Sequence, residues 1–74
     1  MKMSKQIIMM QLEAMTRMAK DLINSNPVSA EDAIHLFADA AAELARNNLW
    51  HVGFCAREGR KRVLELRAYA ARKE

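Results

Sequence analysis

The chain has 74 residues, a formal net charge of +3, one cysteine and two glycines. That length admits a single domain, 1–74, without an internal disulfide, and so small a domain buries only about 60% of the surface its unfolded chain exposes. A lone core is therefore marginal, and self-association into a homo-oligomer is the expected extra support.

No run of residues reaches the roughly 18 consecutive apolar positions of a membrane span. Ile7 to Met10 is too short for the apolar core of a signal peptide. A lone thiol suits a reducing compartment, so the expected location is cytoplasmic, with no membrane partner. Charge is unevenly placed: residues 1–20 carry net +3, residues 21–45 net −5 with no Lys or Arg, and residues 46–74 net +5. These segments either neutralise one another or leave a basic C-terminal third for an anionic partner.

Residues 5–24 have helical periodicity. Ile7, Ile8, Leu12, Ala14, Met15, Met18, Ala19, Leu22 and Ile23 fill about half of the wheel, opposite Glu13, Arg17, Lys20 and Asp21. Met15 and Met18 read as core, whereas Met9 and Met10 lie on or beside the polar side. Asn24-Ser25-Asn26-Pro27 ends the helix, because the residue before a proline disfavours helical angles. A second helix starts at Ser29, whose hydroxyl can cap the first turn, with Glu31 and Asp32 suiting the positive end of the dipole. Its apolar face is Ala30, Ala33, Ile34, Phe37, Ala40, Ala41, Leu44 and Ala45, and His35 lies among carboxylates on the other side.

The last third admits two structures. As a helix from about 49 to 72, Leu49, Val52, Ala56, Gly59, Val63, Leu66 and Ala70 recur at heptad spacing and continue the phase of the second helix, with Asn47-Asn48 only a weak break. Trp50, Phe54 and Leu64 then form a separate apolar patch. As a β-hairpin over residues 49–70, Trp50, Val52 and Phe54 alternate with polar or small residues, and Arg57-Glu58-Gly59 forms the turn. The Arg, Lys, Leu, Glu and Ala content of residues 60–73 favours the helix. The expected fold is all-α, a helical hairpin with a third helix; the alternative is α+β, two N-terminal helices and a C-terminal hairpin.

Chemistry finds little to stand on. His51 and Cys55 are four apart, but a structural zinc takes four ligands and no second cysteine or paired histidine exists. His35 has no nucleophile at a useful spacing, and pairs such as Asp39 and Glu43 sit on a solvated face that does not separate two pKa values. No phosphate-cradling or hydrolase motif occurs. The expectation is no enzyme activity, no cofactor and no metal. What remains is a regulatory or adaptor protein acting by protein–protein binding. Its expected contact surface is Met9, Met10, Trp50 and Phe54 with Arg57, Arg60 and Lys61 as the polar rim, since aromatic residues beside arginine make typical hot spots. The alternative is a small nucleic-acid-binding protein using residues 57–73, with Arg57, Arg60, Lys61, Arg62 and Arg67 on phosphates.

Overall fold

A computed structural model describes residues 4–73. Three α-helices, α1 (Lys5–Ser25), α2 (Ala30–Asn47) and α3 (Val52–Lys73), form an elongated bundle of 40 × 18 × 17 Å. A single 3₁₀ turn, Leu49–His51, joins α2 to α3, and no strand occurs among the described residues. The fold is all-α, and the hairpin over residues 49–70 is replaced by helix.

Each boundary has a local cause. Ser4 caps α1, its hydroxyl accepting from the Ile7 amide at 3.2 Å. Asn26 closes α1 in the left-handed region (φ 59°) and donates its backbone N–H to the Leu22 carbonyl, after which Pro27 bars continuation. Ser29 caps α2, accepting from the Asp32 amide at 3.0 Å. At the far end, the Asn48 side chain donates to the Leu44 carbonyl while its backbone leaves helical angles (φ −132°, ψ 58°). Asn47-Asn48 is thus a stop, not the weak break expected.

That stop rotates α3. A 3₁₀ turn advances three residues per turn where an α-helix takes 3.6, so the phase of α2 does not carry through. Cys55, Gly59 and Leu66 point inward, while Leu49, Val52 and Ala56, expected on the buried stripe, are exposed. Phe54, expected on a separate patch, is half-buried and packs against the core.

The core consists of Ile8, Leu12, Ala19 and Ile23 from α1, Ala33, Ile34, Phe37, Ala41 and Leu44 from α2, and Cys55 and Leu66 from α3. The face of α2 matches its sequence pattern except for Ala40, which is exposed. The face of α1 is turned: Ile7 and Met18 are 46% and 64% exposed, while Thr16 is buried. The third helix is the reason. It packs along the Thr16 side of α1, where Lys20 meets Glu65 at 2.9 Å and Asn24 donates to the Tyr69 hydroxyl at 2.8 Å. Thr16 itself is satisfied, its hydroxyl donating to the Leu12 carbonyl at 2.7 Å and accepting from Arg62 Nη1 at 3.4 Å. Met15 is half-buried against the core, as its position predicts, but Met18 is not.

Candidate interaction surfaces

The helix order brings the start of α1, the end of α2 and the start of α3 to one end of the bundle. Lys5 places its ammonium 5.2 Å from the centre of the Phe54 ring, tying α1 to α3 there. Met9, one turn beyond Lys5, is half-buried, whereas Met10 is 66% exposed on another side of the helix. Met9 and Met10 therefore do not form one contact patch, and Phe54 already has an intramolecular role.

What this end does present is apolar and exposed. Leu49 is 72%, Trp50 73% and Val52 47% exposed; the first two lie in the 3₁₀ turn and Val52 begins α3, with half-buried His51 between them. Leu49 and Val52 were missed as surface residues because heptad spacing placed them on the buried stripe. The two asparagines, as a potential stop, were the signal that the phase had to be reset. Arg57 is exposed one to two turns further along α3, with Arg60 and Lys61 beyond it.

The cations of the basic segment do not form one field. Lys61 pairs with Glu58 at 3.3 Å, and Arg67 pairs with Glu31 of α2 at 3.3 Å. Arg62 is half-buried between α3 and α1, with its Nε buried and without a hydrogen-bond partner among the described residues. Arg57 and Arg60 remain exposed, with no ion pair among the described residues. Three of the five candidate phosphate contacts are thus engaged within the fold.

His35 is exposed and meets Glu31 at 3.4 Å, not Asp32 or Asp39. Cys55 is fully buried, and that burial pushes its thiol pKa up, which lowers the thiolate population a nucleophile needs. Glu43 is held below the usual glutamate range by its hydrogen bond and charge pairing with Arg46, and Glu65 likewise by its hydrogen bond from Lys20. Both stay ionised near neutrality, without the raised pKa of a general acid. Among the described residues no group of three or more His, Cys, Asp or Glu is placed to hold a metal ion. Among the described residues no helix is long and apolar enough to cross a membrane.

An apolar groove of about 320 Å³ on the α2–α3 seam is lined by Ala38, Ala42, Ala45, Ala56, Val63 and Arg60, among others. No family model, curated protein or solved structure matches the chain.

Proposed function

We propose that this protein is a non-enzymatic adaptor or regulator of the cytoplasm that binds another protein through the apolar end of its bundle. The observation that carries this reading is the exposure of Leu49 and Trp50 in the 3₁₀ turn and of Val52 at the start of α3, with the exposed Arg57 further along the same helix. An aromatic anchor flanked by aliphatic residues and an arginine has the composition of a binding hot spot. The turn is fixed on both sides by helices, so docking requires little ordering, a main cost of association. Met10 lies outside this set, and Met9 and Phe54 are half-buried.

A nucleic-acid role along residues 57–73 is the weaker reading, because Lys61, Arg62 and Arg67 are already committed to contacts within the fold. Affinity capture from the native cell compares the wild-type chain with a Leu49→Ala/Trp50→Ala variant of unchanged helicity. The proposal expects a defined protein in the wild-type capture and its loss with the variant. Identical captures would overturn it. Steep salt-dependent binding to random nucleic acid would favour the other reading.

A further inference from the structure

Two exposed stripes stand apart from that end of the bundle. On α2, Asp32, Leu36, Asp39 and Glu43 follow one another at alternating steps of four and three residues, which keeps them on one line down the helix, and all four are exposed. On α3, Gly53, Arg57, Arg60, Leu64, Arg67 and Ala71 follow the same alternation and are likewise all exposed. Each stripe has one large apolar residue at its middle, Leu36 at 54% and Leu64 at 68% exposure. The first is otherwise acidic and the second otherwise basic or small.

We propose that the α2 stripe of one copy docks antiparallel on the α3 stripe of a second copy, with Leu36 opposite Leu64. In that register Glu43 faces Arg57 and Asp39 faces Arg60, while Asp32 falls opposite Arg67, which also meets Glu31 of its own chain. The parallel sense sets Glu43 against Ala71 and leaves Arg57 without a carboxylate. Pairing α2 with α2, or α3 with α3, brings like charges together, which is costly across an interface. Within one chain the same two helices already run antiparallel, with Arg67 on Glu31. The fold itself thus already joins an acidic residue of α2 to a basic residue of α3. Asp32, Asp39, Arg57 and Arg60 make no ion pair among the described residues, so they meet the second copy uncommitted. The two stripes lie on different helices, and every copy carries one of each. The contact joins unlike surfaces, so each copy can engage a second through its α2 stripe and through its α3 stripe.

Sedimentation of the full chain from micromolar to millimolar concentration tests this, beside Leu36→Arg and Leu64→Glu, both at exposed positions and checked for unchanged helicity by circular dichroism. The wild type is expected to exceed the mass of one chain as concentration rises. High salt should weaken its association by roughly tenfold, as for a few exposed ion pairs. Each variant alone is expected to weaken association at least about tenfold, the effect of losing a central anchor. A one-to-one mixture of the variants is expected to associate again, because Leu64→Glu retains an intact α2 stripe and Leu36→Arg an intact α3 stripe. A wild type that stays monomeric throughout overturns the proposal. So does undiminished association of either variant, which would assign the contact to another surface, and so does a mixture no heavier than its components. None of these outcomes bears on the end at Leu49–Val52, whose residues are unchanged in both variants.

Discussion

Replacing Gly59 by alanine probes the closest approach of α2 and α3. Gly59 is buried in the interior of α3, and no glycine has a positive φ. A methyl group built there lies 3.4 Å from the Ala41 Cβ, at the tight edge of ordinary van der Waals contact. Alanine in a helix interior is favoured over glycine by about 1 kcal/mol. Burying one added methyl contributes about 0.8 kcal/mol more. A slight displacement of Ala41 offsets part of that sum, leaving a net gain of about 1 kcal/mol. For a domain of 60–100 residues this raises Tm by about 4–8 °C. Thermal and urea unfolding followed by circular dichroism measure it. A larger side chain behaves differently: Gly59→Leu overfills the seam and should cost about 1–3 kcal/mol. Destabilisation by Gly59→Ala would mean that residue 59 sits in a turn or that the seam is closer than described, and either refutes this packing.

Other expectations concern single side chains. Phe37 is only 3% exposed, so Phe37→Ala should cost about 3–5 kcal/mol, while His35→Ala at its exposed position should change stability by less than about 0.5 kcal/mol. Equal losses in urea titrations would mean the face of α2 is misassigned. Glu65 has a folded pKa below its unfolded value because Lys20 hydrogen-bonds its carboxylate. Its stabilisation is therefore present above the unfolded glutamate pKa and fades as pH falls through the lowered folded value. With about half of the Glu65 side chain in solvent, the pair is worth under about 1 kcal/mol. Glu65→Gln should be slightly less stable than wild type near neutrality, with the difference vanishing at acid pH; a difference that persists there contradicts the assignment.

Chain punctuation was the most legible part of the sequence. Pro27 and Ser29 place the α1–α2 connection within a residue of where it lies, because one forbids helix and the other caps it. The face of α2 was legible too, since its small and large apolar residues stand against a continuous charged side. The face of α1 was not. Its apolar residues cover half of the wheel, and only the position of α3 selects Thr16 as inward and leaves Met18 outward. Thr16 escapes a hydrophobic pattern because its hydroxyl is satisfied by the Leu12 carbonyl of its own helix. The candidate contact surface was legible at Trp50 but not at Leu49 or Val52, since the 3₁₀ turn that exposes them is set by how Asn48 terminates α2. The engagement of Arg62 and Arg67 with other helices depends on tertiary placement that no local pattern carries.

The central claim is that the end of the bundle formed by Leu49, Trp50 and Val52 is a docking site for another protein. A photo-reactive amino acid placed at position 49, in living native cells, tests this at the residue concerned. The control is the same group at position 25, the exposed last residue of α1 at the opposite end of the bundle. The account predicts a discrete protein adduct from position 49 that position 25 does not give, identified by mass spectrometry and lost on Trp50→Ala. The same adducts from both positions, none from position 49, or adducts to nucleic acid alone would contradict it.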